Sequence, residues 1–95
     1  MARYSTEEEA RADGYSVQHE PERSRFALLR EGRVLGTAHY TLLGETGIDF
    51  DGTQVDPSVR GTGIAAILAR RAFSDEIVTG RNVRTSCWFM AKMRG

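Results

Sequence analysis

The fold of this chain is decided by residues 54–66, which read Gln54-Val55-Asp56-Pro57-Ser58-Val59-Arg60-Gly61-Thr62-Gly63-Ile64-Ala65-Ala66. Pro57 restricts the residue before it to an extended conformation, which predicts that a strand ends at Asp56. Gly61 and Gly63 allow a sharp turn and a close approach of the backbone to a ligand. The Ala-rich run that follows predicts a helix. The stretch therefore predicts a strand, a tight glycine loop and the start of a helix.

A loop of this kind suits the binding of an anion. Its amides converge at the positive end of the helix dipole, which favours a phosphate group. Arg60 adds a fixed charge with fork geometry for phosphate oxygens. The loop lacks the Gly-Lys-Ser/Thr ending of a Walker motif, and it lacks the third glycine of a dinucleotide fingerprint. The alternative is a plain glycine turn that binds nothing.

Composition limits the possible classes of protein. The chain has 95 residues, of which 40% are hydrophobic and 27% are charged, as expected for one globular domain. Thirteen basic residues balance thirteen acidic ones, which disfavours binding to nucleic acid through a general positive field. No apolar run is long enough to span a membrane. The single cysteine, Cys87, cannot form an internal disulfide, and we therefore expect a cytoplasmic setting.

The pattern of residues predicts two segments. Residues 1–14 are polar and predict a flexible or weakly helical arm, with Ser5 and Glu8 as a candidate capping box. Residues 15–95 predict a single domain. Alternating apolar residues separated by turn residues predict four strands joined as an antiparallel meander, over residues 15–20, 25–30, 34–43 and 48–55. In the fourth strand we expect Phe50 on one face and Thr53 on the other.

The second half of the chain predicts a crossover. A helix over residues 64–78 has an apolar ridge of residues spaced four apart: Ala65, Ala69, Phe73 and Ile77. Residues 82–87 predict a fifth strand, parallel to its neighbour because a helix connects the two. Residues 88–93 predict a short final helix. The predicted fold class is α+β, a mixed sheet in which four antiparallel strands precede the glycine loop, the crossover helix and the fifth strand.

These residues resemble a known family. Arg60-Gly61-Thr62-Gly63-Ile64-Ala65 matches the [Arg/Gln]-x-x-Gly-x-[Gly/Ala] signature of the GNAT superfamily of acyl-CoA-dependent N-acetyltransferases, and the chain looks like its short stand-alone subfamily. The resemblance covers roughly residues 16–89. Besides the signature, it is carried by Phe26-Ala27-Leu28, Gly36-Thr37-Ala38-His39-Tyr40, Val55-Asp56-Pro57-Ser58-Val59 and Cys87-Trp88-Phe89.

The resemblance implies acetyl-CoA as a cosubstrate. It implies that the pyrophosphate binds the backbone of six consecutive residues: Arg60, Gly61, Thr62, Gly63, Ile64 and Ala65. It also implies that the pantetheine arm runs beside Val55 and that the thioester reaches a cleft where the fourth and fifth strands splay apart. Independently of the family, an extended arm that carries amides suits an unpaired strand edge.

Three kinds of side chain are candidates for chemistry. Cys87 has a candidate catalytic role as proton donor to the departing thiolate or as acyl carrier; the alternative is a small buried hydrophobic residue. Asp49 and Asp51 form an acidic rim for an amine or a solvated strand face. His39 predicts a structural histidine, and His19 an exposed one. The spacing of these histidines and the cysteine does not predict a metal site.

Two functions remain open. The first is an acetyl-CoA-dependent N-acetyltransferase that acts on a primary amine of a small molecule or a protein. The alternative is a non-catalytic acyl-CoA-binding or interaction module, because the resemblance implies a histidine in the fourth strand where this chain has Gly52. We expect no nucleic-acid or membrane partner and a monomer or homodimer, since small sheets expose edges that can pair.

Overall fold

The computed structural model describes residues 3–94. Residues 1–2 of the predicted arm and residue 95 lie outside that range. The structure contains five strands, namely β1 (Tyr15–Glu20), β2 (Arg25–Arg30), β3 (Arg33–Leu43), β4 (Gly47–Val55) and β5 (Asn82–Arg84). It contains three α-helices, namely α1 (Glu7–Ala12), α2 (Ile64–Phe73) and α3 (Trp88–Arg94).

The sheet confirms the predicted fold class. The strands lie in the order β1-β2-β3-β4-β5, and every neighbouring pair is antiparallel except β4 and β5, which are parallel. Short turns allow the antiparallel meander, whereas α2 supplies the crossover that parallel pairing requires. No helix among residues 3–94 is both long and apolar enough to cross a membrane.

One core joins the sheet to the three helices. Ala10 of α1, Leu68 of α2 and Met90 of α3 are buried in the same cluster as Phe26 and Phe50 of the sheet. Gly36 of β3 faces α2, and a Cβ there would be in van der Waals contact with a methyl carbon of Leu68, at 3.5 Å. The helix layer therefore rests closely on one face of the sheet.

Helix α2 differs in two ways from its prediction. It ends at Phe73 rather than at residue 78, because Asp75 accepts a hydrogen bond from the amide of Ile77 and starts a separate 3-10 turn. Of the predicted ridge, Ala69 is buried and Phe73 and Ile77 pack against the core, whereas Ala65 is only half-buried. Ile64, Leu68 and Ala72 are completely buried beside it.

The arm also differs in detail. Thr6 and Glu9, rather than Ser5 and Glu8, form the capping box of α1. Tyr4 and Ala10 are buried against the domain. The segment therefore packs through apolar residues, although most of its residues are polar. The division of the chain into an arm and a domain at residue 14 stays a prediction.

Strand β4 contains a bulge that changes which side chains face the helices. Tyr40 pairs with Phe50, but His39 pairs with Gly52, so Asp51 is an extra residue in β4. An extra residue reverses the alternation of faces beyond it. The expectation that Thr53 lies opposite to Phe50 was therefore wrong: Thr53 lies on the helix side, within hydrogen-bond range of Cys87.

Strand β5 is shorter than its prediction. Its pairing with β4 covers only Asn82–Arg84 against Gly47–Asp49, whereas the sequence predicted a strand to Cys87. The carboxylate of Asp49 accepts hydrogen bonds from the amide and the hydroxyl of Ser86, at 2.9 and 2.8 Å. These bonds hold the chain in a turn that no longer pairs with β4, and α3 begins immediately afterwards.

Candidate coenzyme-binding cleft

The strand–loop–helix junction is built as the sequence indicates, with one added turn. Residues 57–59 form a 3-10 turn that Asp56 caps, its carboxylate accepting from the amide of Ser58 at 2.9 Å. The hydroxyl of Ser58, and after it this amide, lower the pKa of Asp56. Gly61 and Gly63 then adopt φ values of 77° and 88°. Side chains rarely adopt this left-handed conformation, so both glycines are required for the path of the loop.

The loop offers amides that the protein does not use. Within residues 3–94, the amides of Gly61, Gly63 and Ala65 have no hydrogen-bond acceptor. The amide of Arg60 donates to the carbonyl of Pro57, and that of Ile64 approaches the Thr62 hydroxyl at 3.4 Å. The free donors gather at the positive end of α2, where an anion is favoured.

The predicted loop residues divide into two groups. Arg60, Gly61, Gly63 and Ala65 line a common cleft with Val55, and the structure thus brings these five predicted residues together. The other two hold the loop in shape and do not line the cleft. The Thr62 hydroxyl donates to the carbonyl of Val59 at 2.6 Å, and Ile64 is completely buried in the core.

The cleft continues along an unpaired edge of β4. The last backbone bond on that side runs from the amide of Cys87 to the carbonyl of Phe50, at 3.1 Å. Beyond it the strand continues to Val55 with no partner strand in the described part of the chain. The resulting cavity has a volume of about 370 Å³, and Phe89 of α3 also lines it. An extended ligand that carries amides can pair with such an edge.

Cys87 directly precedes α3 and does not itself line the cleft. It contacts Thr53, which lines the inner end of the cleft. The sulfur of Cys87 lies 3.4 Å from the hydroxyl of Thr53. Burial is the largest single influence on the pKa of the thiol and raises it. Hydrogen bonds from the Thr53 hydroxyl and from the amides of Met90 and Phe89 together outweigh burial, so the pKa of Cys87 lies below its ordinary value. Donors to sulfur stabilise the thiolate, the reactive form.

The two acidic residues of β4 have partners within the protein. Asp49 anchors Ser86, and the carboxylate of Asp51 accepts from the hydroxyl of Thr41 at 2.6 Å. Asp51 is nonetheless close enough for its charge to act on the thiol of Cys87 and raise its pKa in part. The carboxylate of Asp49 thus holds Ser86 where β4 and β5 separate, and that of Asp51 links β4 to β3. The acidic rim for an amine stays a prediction.

The histidines lie elsewhere. His39 pairs with Gly52 on the sheet face opposite to the helices. His19 is half-buried, in contrast to the exposed position predicted for it; its ring stacks on Phe26 and its Nε2 lies 2.6 Å from the Tyr40 hydroxyl. The groups that lower the pKa of Cys87 are a hydroxyl and backbone amides, and no histidine is among them.

The sequence analysis missed Thr53 and Phe89 as residues of the cleft. Thr53 reaches the cleft only because the bulge at Asp51 reverses the alternation of β4. Gly52, which favours irregular strand geometry, was the one local signal for that bulge. Phe89 reaches the cleft because β5 ends early and α3 fills the gap.

Together these features define a class of protein. It is an α+β domain in which free amides at a helix start lie beside an open strand edge, and both line one cleft. A family model described as GCN5-related N-acetyl-transferase matches residues 25–94. This chain belongs to that family, which confirms the resemblance found in the sequence. No curated protein matches the chain significantly.

Proposed function

We propose that this protein is an acetyl-CoA-dependent N-acetyltransferase that transfers an acetyl group to a primary amine of a small molecule or a protein. The observation that supports this most strongly is the set of three free amides, those of Gly61, Gly63 and Ala65, in the same cleft as the open edge of β4. A diphosphate needs free amide donors, and the amide-bearing arm of pantetheine needs an open strand edge.

The residues present fit the coenzyme. The three free amides and the helix dipole suit a diphosphate, and the exposed guanidinium of Arg60 adds charge at the mouth of the cleft. The unpaired backbone near Val55 suits the two amides of pantetheine. When bound, acetyl-CoA would supply an acetyl group already activated as a thioester.

At the inner end of the cleft, the chain itself contributes two things. It positions the amine beside the thioester, and it supplies a group that can handle a proton or the acetyl group. Holding an amine beside a thioester in the correct geometry accounts for much of the acceleration in such transfers. Cys87 has two candidate roles: its thiol donates a proton to the departing sulfur, or its thiolate accepts the acetyl group before the amine does. The lowered pKa favours the second role, because it increases the thiolate fraction at neutral pH.

Binding of CoA is the first test. The wild-type protein should show a melting temperature that rises with CoA concentration, since a ligand that binds only the folded state stabilises it. Pantetheine, which lacks the diphosphate, is the matched control and should produce a much smaller rise. Equal shifts with both compounds, or none with CoA, would contradict the proposed role of the loop.

Release of free CoA thiol is the second test. Acetyl-CoA should lose its acetyl group faster when polyamines, lysine peptides or aminoglycosides are added with the protein. The second candidate function, a non-catalytic acyl-CoA-binding module, is favoured by Gly52, because this position supplies no side chain in place of the histidine that the resemblance implies in β4. That candidate predicts CoA binding without thiol release for any amine in the panel.

A further inference from the structure

The N-terminal arm makes a direct contact with the glycine loop. The amide of Tyr4 donates a hydrogen bond to the carbonyl of Thr62 at 2.7 Å. Tyr4 is 6% exposed, so this bond lies under a buried side chain. The family match begins at residue 25 and leaves the arm outside it. The contact therefore joins a segment outside the family match to the centre of the candidate coenzyme site.

The contact fixes the direction of a free amide. The peptide bond between Thr62 and Gly63 is planar and trans, so its carbonyl and its N–H point in opposite directions. The carbonyl points to Tyr4, and the Gly63 N–H consequently points away from the arm. Gly63 lines the cleft, and its amide has no acceptor in the described chain. The arm thereby aims this donor at the position where a diphosphate would bind.

Several other contacts hold Tyr4 in place. Its hydroxyl donates to the carboxylate of Asp13 at 2.5 Å, and its ring packs edge-on against Tyr15 with centroids 5.5 Å apart. The carbonyl of Ser5 accepts from the guanidinium of Arg70 at 2.8 Å, which ties the arm to α2. The arm is thus fixed at Tyr4 itself and at Ser5, the residue that follows it.

We infer that the arm is part of the coenzyme site and that the Tyr4 amide is a positioning group for the loop. It sets the orientation of the Thr62–Gly63 peptide, so that the Gly63 N–H is aligned before the ligand arrives. This inference rests on the proposed use of acetyl-CoA. Alignment in advance strengthens binding because the ligand no longer has to order the loop.

A pair of substitutions isolates the amide. Tyr4→Ala removes the ring and keeps the N–H, whereas Tyr4→Pro removes both, and neither changes the charge near the ligand. Tyr4→Pro should raise the dissociation constant of CoA, measured by calorimetry, about fivefold beyond the value for Tyr4→Ala. The KM for acetyl-CoA should rise in parallel, while kcat at saturating acetyl-CoA stays equal in the two variants. Equal CoA affinity in the two variants would overturn the inference.

A measurement without CoA separates this inference from the proposed function. Heteronuclear NOE values of the Gly61 and Gly63 amides should fall in Tyr4→Pro and stay near the wild-type values in Tyr4→Ala. If the wild type does not bind CoA, the proposed function fails, and these NOE values still decide whether the arm orders the loop. Unchanged NOE values in Tyr4→Pro would reject that ordering.

A second variant covers the case in which Tyr4→Pro does not fold. Arg70→Gln removes the bond to the Ser5 carbonyl from an exposed position on α2. Arg23→Gln is its control, because Arg23 is also exposed and lies in the turn before β2, in another part of the chain. Loop amides should become more mobile in Arg70→Gln only; equal mobility in both variants would contradict the inference.

Discussion

The two ends of the cleft are built from different parts of the chain. The outer end consists of backbone amides from consecutive residues, those of Gly61, Gly63 and Ala65. The inner end depends on side chains: Thr53 lines it and contacts Cys87, which lies 34 residues further along the chain. The outer end thus offers a fixed set of donors that suits an invariant group such as a diphosphate. The inner end depends on individual side chains, which suits chemistry and the choice of acceptor.

The largest expected effect lies at the inner end. Cys87→Ala should lower kcat about a hundredfold, as is typical when a group that handles protons or the acyl group is removed. The dissociation constant of CoA should change by less than about twofold, since the loop is untouched. Steady-state kinetics and calorimetry on one preparation measure both. An unchanged kcat would assign Cys87 to the alternative role of a small packing residue.

The second-largest effect is expected at the outer end of the cleft, in the glycine loop. Gly63→Val forces a side chain into a conformation with φ near 88°, so the loop must change its path. CoA affinity should fall by more than about tenfold, and the free energy of unfolding by about 1–2 kcal/mol. Gly80→Val is the matched control, because Gly80 has a φ of 75° with nothing within 4 Å of an added Cβ.

Gly80→Val should lose similar stability and keep its CoA affinity. If both variants bind CoA as well as the wild type does, the outer end of the cleft does not hold the diphosphate. Chemical denaturation and calorimetry measure the two quantities separately.

A smaller effect tests the environment of the thiol. Thr53→Val removes a hydrogen-bond donor to sulfur, which should raise the pKa of Cys87 from its lowered value. The thiolate fraction at pH 7 then falls, and alkylation by iodoacetamide should slow about three- to tenfold. The pH profile of alkylation should move to higher pH. Thr79→Val changes an exposed residue and should leave the pH profile of alkylation unchanged. If Thr53→Val leaves the profile unchanged as well, the hydrogen bond from Thr53 does not lower the pKa of Cys87.

The smallest effect is expected at the mouth of the cleft. Arg60 is exposed, and exposed charges contribute weakly because water and salt screen them. Arg60→Gln should therefore weaken CoA binding about twofold at moderate salt, and less as salt is raised. Titrations at two ionic strengths check this. A loss that salt does not reduce would show that Arg60 makes a buried contact with the ligand.

The difference between the two ends also explains what could be predicted from the sequence. The loop was predictable because its chemistry depends on local rules: Pro57 ends the strand, and the left-handed φ values of Gly61 and Gly63 require glycine. The sheet was predictable for the same reason, since turn residues separate alternating runs. Five of the seven residues predicted to bind the coenzyme line the cleft: Val55, Arg60, Gly61, Gly63 and Ala65.

The inner end depends on contacts that no local pattern encodes. The bulge at Asp51 moves Thr53 to the helix side, and the bonds between Asp49 and Ser86 end β5 early. Both features arise from residues distant in sequence, and a single shift in register reverses every later side chain. The burial of Tyr4 was missed because its contacts, with Asp13, with Tyr15 of β1 and with the Thr62 carbonyl of the loop, follow no local pattern.

The early end of β5 has a consequence for the behaviour of the protein in solution. An exposed strand edge is a template for pairing with any other extended chain, and natural proteins usually blunt such edges with charge, proline or a covering segment. Beyond Phe50, the edge of β4 lies along a cleft that Phe89 also lines. A ligand that paired with this edge would therefore also cover a template that could otherwise pair with another extended chain.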